Sequence, residues 1–361
     1  MTGADFINEY RNTLREWVNF ETPSGAGERL NAFLRLLREA FSQSGAEIKI
    51  HEDQTAPVLH ACLGNGENRC VLIGHADTVF PLGKAEKFDE ENGRFYGAGI
   101  LDMKSGLFMM KKLFDAFREK LPDNWRLEAI INTDEENGSV KSAEVIGKIL
   151  NGAKCAFVFE GSPERKVTVQ RKGILRFGIS IKGTASHASA GDPEKKSAVY
   201  ALSGVLNDLY EMPLADASTM NIGIVKAGSA VNIVADKAEV EGEIRALNEK
   251  ELKDAFERIV KIASAHRGEA FVLSVRPPMN ESKKLFALVK EASEKTGYPV
   301  EGRIAGGGSD GAFASRLNID VIDGMGAEGA RAHTRREYAE GNSLKKRFDI
   351  AYETLLLAMK A

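Results

Sequence analysis

Val71–Phe80 reads VLIGHADTVF, and this stretch decides the predicted fold. It begins with three apolar residues that are typical of a buried strand, breaks at Gly74, and then presents His75 and Asp77. Polar side chains at the carboxyl end of an apolar strand are where α/β proteins build their sites. Because side chains at i and i+2 share a face of an extended chain, His75 and Asp77 can point into one cleft. Taken alone, the stretch is also compatible with a plain surface turn.

Strand-like runs alternate with helical spacing on both sides of this stretch. Up to about residue 160 this alternation predicts an α/β fold with a mainly parallel sheet between helices. After about Arg171, two strand–helix–strand halves predict a small α+β domain of ferredoxin-like type. The sequence therefore predicts a discontinuous catalytic domain, residues 1–172 and 279–361, with an inserted domain at residues 173–278. Helical spacing is predicted at residues 4–19, 27–43, 102–120, 140–150, 193–210, 249–266, 282–295 and 344–359.

The composition excludes several classes of protein. A formal charge of -3 and a pI near 6.2 argue against nucleic acid as a partner. The N-terminal helical pattern lacks the basic and apolar regions of a signal peptide, and no apolar run is long enough to span a membrane. The three cysteines show no CxxC spacing, which favours free thiols in a reducing compartment. We expect a cytoplasmic protein.

Further acidic residues and one histidine follow strand-like runs or begin helical ones. Asp102 follows a glycine-rich entry, Glu135 and Glu136 follow the run ending at Asn132, Glu160 follows Phe157–Phe159, and His333 comes late in the chain. Each alone has a simpler interpretation. A carboxylate at a helix start is favoured by the helix dipole, and paired glutamates often belong to a solvated loop.

Together these residues match a site for two divalent metal ions. Such a site needs a bridging carboxylate and about two further ligands for each ion. His75, Asp102, Glu136, Glu160 and His333 supply that number, with Asp102 as the bridge. Glu135 then remains as a general base, and Asp77 as the group that orients the imidazole of His75.

The motifs HADTVF, GILDMKSG, TDEENGS and FEGS, with the late His333, resemble the di-zinc aminoacylase and carboxypeptidase family, metallopeptidase family twenty. This family includes glutamate carboxypeptidase, acetylornithine deacetylase, succinyl-diaminopimelate desuccinylase and aminoacylase-1, and the glutamate carboxypeptidase branch is the most similar. The resemblance assigns the same five ligands, the same bridge and the same base. It also implies a cis peptide bond after Asp102.

The inserted domain extends this resemblance. His187 matches a histidine that reaches the scissile carbonyl, often across a dimer. Asn232 and Arg245 match residues that hold the substrate carboxylate, and Gly307 and Gly308 lie in a matching glycine-rich loop. A planar guanidinium suits a carboxylate because it binds both oxygens. Without the resemblance, His187 is an ordinary loop residue and Arg245 an ordinary strand residue. The segments 187–191 and 193–198 depart from the family's usual sequence, which puts the local loop geometry in question.

The implied activity is metal-dependent hydrolysis of an amide bond next to a free carboxylate, in a short peptide or an N-acyl amino acid. The resemblance implies two zinc ions per subunit, although cobalt and manganese suit the same ligands. It also implies a homodimer formed through residues 173–278. Two alternatives stay open: an N-deacylase of small molecules, and a metal-free homologue that acts as a binding module.

Overall fold

A six-stranded sheet forms the centre of the larger of two structural units. The computed structural model describes residues 2–192 and 196–360. The large unit contains the residues up to Gln170, Met279–Ala305 and the residues from Ser309 onward, and the small unit contains Arg171–Pro278 and Gly306–Gly308.

The strands in the described residues are β1 (Glu47–His51), β2 (Val58–Leu63), β3 (Asn68–His75), β4 (Asp89–Glu91), β5 (Arg94–Tyr96), β6 (Trp125–Asn132), β7 (Cys155–Val158), β8 (Lys166–Arg171), β9 (Gly173–Lys182), β10 (Thr219–Ala227), β11 (Lys237–Ala246), β12 (Gly268–Arg276), β13 (Glu301–Ala305), β14 (Asp320–Ile322), β15 (Gly329–Ala330) and β16 (Tyr338–Glu340). The α-helices are α1 (Gly3–Asn19), α2 (Gly27–Gln43), α3 (Ser105–Phe117), α4 (Ala143–Leu150), α5 (Ala198–Tyr210), α6 (Glu249–Ala265), α7 (Lys283–Lys295), α8 (Gly311–Arg316) and α9 (Gly341–Ala358).

The large sheet has the strand order β1-β2-β6-β3-β7-β14. Strands β6, β3, β7 and β14 are mutually parallel, whereas β1 and β2 join one edge antiparallel. This is the predicted mainly parallel mixed sheet. Because the parallel strands run in one direction, the loops that follow β3, β6 and β7 leave the sheet at the same edge.

Both faces of β3 are buried, which explains its continuous apolar run. Cys70 and Leu72 pack into the core on the side of α1, α2, α3 and α9, while Val71 and Ile73 pack into the core on the side of α4 and α8. A strand covered on both faces by helices is expected to be apolar at successive positions rather than at alternate ones.

The small unit has the ferredoxin-like topology that its two predicted strand–helix–strand halves indicate. Its four strands are all antiparallel in the order β10-β11-β9-β12, with α5 and α6 between them along the chain. Alternate residues of β9, from Leu175 to Ile181, are buried in a core that the two helices share. This βαββαβ arrangement is ferredoxin-like.

The predicted helix at 102–120 begins later, at Ser105, because the backbone at Asp102 and Met103 is not helical. The predicted helix at 140–150 also begins later, at Ala143, because the Asp134 carboxylate accepts the amides of Lys141 and Ser142.

The sequence-predicted helix at 193–210 is observed from Ala198. Its first three positions, 193–195, lie outside the described residues. The short strands β8 and β13, which pair with each other, were not predicted. None of the described helices combines the length and the apolar character that a membrane span requires.

Candidate metal centre

Three adjacent parallel strands bring most of the predicted ligands to one edge of the large sheet. His75 ends β3, Glu136 lies in a short turn after β6, and Glu160 follows β7. Asp102 comes from the segment that precedes α3, and His333 comes from the loop between β15 and β16. The fold thus brings together residues that are up to 258 positions apart in the sequence, from His75 to His333.

Asp102 lies between two groups of side chains. Its Oδ1 is 3.0 Å from Nε2 of His75, and its Oδ2 is 3.0 Å from Nε2 of His333. On the first side, His75 Nε2 is also 3.5 Å from Oε1 of Glu160. On the second side, His333 Nε2 is 3.1 Å from Oε2 of Glu136. Each oxygen of Asp102 therefore faces a different histidine and glutamate pair.

A contact at Nδ1, the ring nitrogen that does not face Asp102, fixes the orientation of His75. Its Nδ1 lies 3.0 Å from the backbone oxygen of Asp77, which can only accept a hydrogen bond, so Nδ1 carries a proton. This leaves Nε2 as the nitrogen that faces Asp102 and Glu160, which is the arrangement in which histidine binds metal ions. The Asp77 carboxylate also lies close, with Oδ1 3.3 Å from Nδ1.

Asp77 does more than orient His75. Its Oδ1 accepts the amide of Glu135 at 3.2 Å and its Oδ2 accepts the amide of Glu136 at 3.2 Å, while the Ser24 hydroxyl donates to Oδ2 at 2.6 Å. Asp77 is fully buried. One carboxylate therefore fixes both the first histidine and the turn that carries the predicted base.

The five predicted ligands carry an excess of negative charge. Asp102, Glu136 and Glu160 are carboxylates, and within the described residues no lysine or arginine forms an ion pair with any of them. Burial raises the pKa of Glu160 well above its usual range, and the charge of Asp102 raises it further. Hydrogen bonds to Asp102 and Glu136 raise the pKa of His333 to about 11.

Burial alone would lower the pKa of His75, but the charge of Glu160 and the hydrogen bonds to Asp102 and Asp77 raise it well above its ordinary value. The clustered negative charge of the buried carboxylates therefore favours the protonated form of each of these groups.

Nitrogen and oxygen donors in this combination suit borderline divalent ions such as zinc. Within the part of the chain that the structure describes, His75, Asp102 and Glu136 form a group whose ligand atoms all lie within 4.8 Å of one another. The donor set therefore fits divalent cations.

Glu135 is buried beside the predicted ligands. Its side chain is 8% exposed, and its charge contributes to the raised pKa of Glu160. The two residues therefore lie close enough to interact electrostatically. Glu135 is thus well placed to exchange a proton with a group bound at the cluster.

The other predicted residues lie in the small unit. His187 is exposed and its Nδ1 is 2.7 Å from the Ser189 hydroxyl. It pairs with Ile233 in an isolated β-bridge, and the backbone oxygen of Asn232 accepts the amide of Ala188 at 2.9 Å. The structure therefore brings His187 and the exposed Asn232 into one surface of this unit.

Arg245 lies against the glycine-rich loop, as its assignment requires, but it already has two partners. Its Nε donates to Glu243 at 2.7 Å and its Nη1 donates to the backbone oxygen of Gly306 at 2.8 Å. Its Nη2 makes no hydrogen bond within the described part of the chain. Arg171 donates to the backbone oxygens of Gly307 and Gly308 at 3.2 and 3.3 Å, a contact that the sequence did not predict.

The sequence also gave no role to Glu337. This carboxylate is 1% exposed and accepts backbone amides from the segment that carries Asp102. The one feature of the sequence that could have indicated a role for Glu337 is its position four residues after the predicted ligand His333. An acidic residue in a charged stretch (RREY) is not distinguishable from a solvated one by sequence alone.

Comparison with known proteins agrees with this geometry. Residues 71–357 match the model of peptidase family M20/M25/M40. Carboxypeptidase G2 from Pseudomonas sp. (strain RS-16) is 27% identical over 95% of this chain and 88% of its own length. Succinyl-diaminopimelate desuccinylase from Rickettsia typhi is 27% identical over 96% of this chain and 99% of its own.

Among solved structures, the YXEP protein of Bacillus subtilis, a dinuclear metal-binding peptidase of family M20, superposes with a TM-score of 0.78. It is 17% identical and the match covers 99% of both chains, so this likeness concerns the fold. The family match spans most of the chain, from within β3 to the last turn of α9, and it includes all five predicted ligands. The chain is a hydrolytic enzyme that belongs to the metal-dependent peptidase family M20/M25/M40.

Proposed function

We propose that the protein hydrolyses an amide bond next to a free carboxylate, and that it removes a C-terminal amino acid from a short peptide or an N-acyl amino acid. The observation that carries the proposal is the placement of Asp102, whose two oxygens face two separate histidine and glutamate pairs. Carboxypeptidase G2 is among the relatives, which supports the choice of bond.

His75, Glu160 and Asp102 would hold one divalent cation, and His333, Glu136 and Asp102 a second. Bound there, two such ions supply Lewis acidity and lower the pKa of a water molecule. Zinc is our first choice because catalytic zinc sites use mixtures of imidazole and carboxylate ligands.

Glu135 takes the proton of the attacking water and delivers it to the leaving nitrogen. It suits this role because it is buried and because its backbone amide is held by the Asp77 carboxylate. A general base that is held in place contributes more to the rate than a mobile one. Asp77 keeps His75 in the tautomer that presents Nε2.

We assign His187 to stabilisation of the oxyanion, and Arg245 with Asn232 to the substrate carboxylate. The free Nη2 of Arg245 within the described residues, next to the backbone of Gly306, supports this assignment. We assign Gly307 and Gly308 to the substrate loop, where the absence of side chains lets the backbone amides approach a ligand.

A matched pair of substrates tests the carboxylate requirement. The metal-loaded enzyme should cleave a dipeptide or N-acyl amino acid at least about tenfold faster, in kcat/KM, than the same compound with an amidated C-terminus, which is the loss expected when a charged contact is missing. Arg245→Ala should abolish that preference. Equal rates on both compounds would contradict the proposal. Lys253→Ala, on the exposed side of α6, is the control.

An N-deacylase is the second candidate, and the desuccinylase relative favours it. The two activities differ in which side of the amide bond the pocket recognises. Kinetics on a series with one acyl group and varied amino acids, and on the converse series, separate them. Stronger dependence on the acyl group than on the amino acid would favour the deacylase.

We also propose that the chain forms a homodimer through the small unit. The outer strands β10 and β12 carry exposed apolar residues, among them Ile224, Val225 and Phe271 at 45%, 47% and 45% exposure. Apolar edge strands tend to pair with another chain. Light scattering of the purified protein should give twice the 39.3 kDa chain mass, whereas a monomer at micromolar concentration would contradict this proposal. If His187 acts across that dimer, mixing His187→Ala with Asp102→Ala subunits should restore activity.

A further inference from the structure

A buried carboxylate lies on the far side of the segment that carries Asp102. Glu337 Oε1 accepts the amide of Leu101 at 2.7 Å and the amide of Asp102 at 2.9 Å, and its Oε2 accepts the amide of Gly99 at 3.2 Å. The side chain is 1% exposed. Both oxygens are therefore occupied by backbone donors.

These amides need an acceptor from elsewhere in the chain. The backbone before α3 leaves the helical region at Asp102, with φ −119 and ψ 86, and Gly99 has a positive φ of 73. Leu101 and Asp102 also lie in the first turn of a helical segment that begins at Ile100, where backbone amides have no acceptor within the helix. A buried amide without a partner costs free energy comparable to a lost hydrogen bond. The Glu337 carboxyl group supplies the acceptor for the amides of Gly99, Leu101 and Asp102.

The next turn of this segment is anchored as well. The Lys104 ammonium donates to the backbone oxygens of Trp17 and Phe20 at 3.0 and 2.9 Å. The Ser105 hydroxyl is 2.6 Å from the hydroxyl of Tyr10. These contacts fix the residues after Asp102, whereas Glu337 alone among the described side chains binds the amides of Gly99, Leu101 and Asp102.

The loop that supplies Glu337 also supplies a predicted ligand. His333 precedes Glu337 by four residues, and the amide of Glu337 donates to the backbone oxygen of Thr334 at 3.1 Å, which closes the turn between them. The same short loop therefore presents an imidazole to Asp102 Oδ2 and a carboxylate to the Asp102 amide. A shift of this loop would move both groups relative to Asp102.

We propose that Glu337 is a positioning residue that holds Asp102 in the orientation in which its two carboxylate oxygens face different ligand pairs, so that both cation subsites depend on it. The proposal rests on the two-cation site of the proposed function. Glu337 has no direct contact with substrate in this role, because its oxygens are bound to the backbone.

The test is Glu337→Gln, studied by calorimetric titration of the metal-free protein with Zn²⁺ in a competing chelator. Glutamine presents an NH₂ group to one of the backbone amides, which repels it. We expect the affinity for both ions to fall by about 10–100-fold, the usual effect of losing a group that supports metal ligands. At saturating Zn²⁺, kcat should return to within a few-fold of the wild-type value, with an unchanged pH profile.

Glu340→Gln is the matched control. Glu340 lies three residues further along the chain, and its side chain pairs with Arg94 at 2.9 Å instead of the Asp102 segment. Zn²⁺ affinity in this variant should equal that of the wild type. Wild-type affinity in Glu337→Gln would overturn the proposal. A wild-type protein that binds no cation would instead contradict the proposed function.

A second measurement covers the case in which Glu337→Gln fails to fold. Hydrogen exchange of the metal-free wild-type protein should show the amides of Leu101 and Asp102 to be as protected as those of α3. Rapid exchange at these two positions would overturn the proposal. Glu337→Asp keeps the charge but shortens the side chain, so it should lower Zn²⁺ affinity as well, and wild-type affinity in that variant would also overturn the positioning role.

Discussion

Two clusters on the large sheet combine histidine with a buried carboxylate, and they differ in how the carboxylate charge is balanced. At the candidate metal centre, Asp102, Glu136 and Glu160 contact two histidines, and no arginine among the described residues pairs with them. In the second cluster, Glu128 on β6 accepts from Arg69 Nε at 2.8 Å and Nη2 at 2.7 Å, with His60 Nε2 at 3.1 Å. A fixed guanidinium balances the charge there.

The pKa values show the consequence of this difference. Burial alone would raise the pKa of Glu128, but hydrogen bonds from Arg69 and His60 lower it to about 2. For Glu160, burial and the charge of Asp102 act in the same direction and raise the pKa. In the balanced cluster an arginine compensates the buried carboxylate, whereas in the unbalanced cluster no lysine or arginine of the described residues forms an ion pair with Asp102, Glu136 or Glu160. The two clusters therefore differ in charge balance more than in residue type.

The largest expected effect is on turnover. Glu135→Ala should lower kcat by about 10²–10⁴-fold, which is the usual contribution of a general base, because it removes the carboxylate to which we assign the proton transfer. Both cations should remain bound, as measured by elemental analysis. Glu144→Gln, on the exposed side of α4, is the control. Near-normal turnover in Glu135→Ala would show that another group acts as the base.

The second prediction concerns the balanced cluster. Glu128→Gln should destabilise the fold by about 3 kcal/mol, because it removes the charge that compensates a partly buried arginine. Urea unfolding of the metal-free protein measures this. Zn²⁺ affinity should not change, since the cluster contacts none of the predicted ligands. If Glu128→Gln were as stable as the wild type but bound Zn²⁺ more weakly, this cluster would have a role in metal binding and not in stability, which would contradict the prediction.

A smaller effect is expected from Asp77→Asn. The variant replaces a carboxylate oxygen with an NH₂ group opposite the amide of Glu135 or Glu136. Loss of a group that orients metal ligands typically lowers metal affinity by about 10–100-fold. Calorimetric titration with Zn²⁺ checks the value, and Asp53→Asn, in an exposed loop, is the control. Unchanged Zn²⁺ affinity would show that the Asp77 carboxylate does not support the metal ligands.

The smallest effect is the pH dependence that Glu128 gives to stability. Its pKa of about 2 in the folded state lies below its ordinary value of 4.5. Ionised Glu128 therefore stabilises the fold above pH 4.5, and this contribution is lost as the pH falls towards 2. The difference in unfolding free energy between the wild type and Glu128→Gln should shrink across that window. A constant difference would mean that Glu128 has an ordinary pKa in the folded protein.

The sequence predicted those features that depend on local pattern. The run Val71–Ile73 indicated a buried strand, and the polar residues that follow β3, β6 and β7 were predicted to meet because parallel strands end at one edge. The ferredoxin-like order of elements in the small unit was likewise predicted from strand and helix spacing. The ligand assignments remain predictions, although the structure places all five side chains together.

Among the features that the sequence did not predict, those at the Asp102 segment depend on a distant partner. Asp102 was predicted to begin a helix, but Glu337, 235 residues later, takes its amide and the helix begins at Ser105. The pairing of Arg245 with Glu243 involves residues two apart on one strand, so it was within reach of sequence reasoning. No local pattern distinguishes Glu337 from a solvated glutamate.

The most direct test of the two-cation site is the number of Zn²⁺ ions bound per chain. Elemental analysis after dialysis of Zn²⁺-loaded protein should give two ions for the wild type and two for Glu135→Ala. Asp102→Ala should lose both, because in the proposed site each cation would use one oxygen of that carboxylate, and the two oxygens face different histidines. A wild-type protein with fewer than two ions, or an Asp102→Ala variant that retains two, would contradict the account.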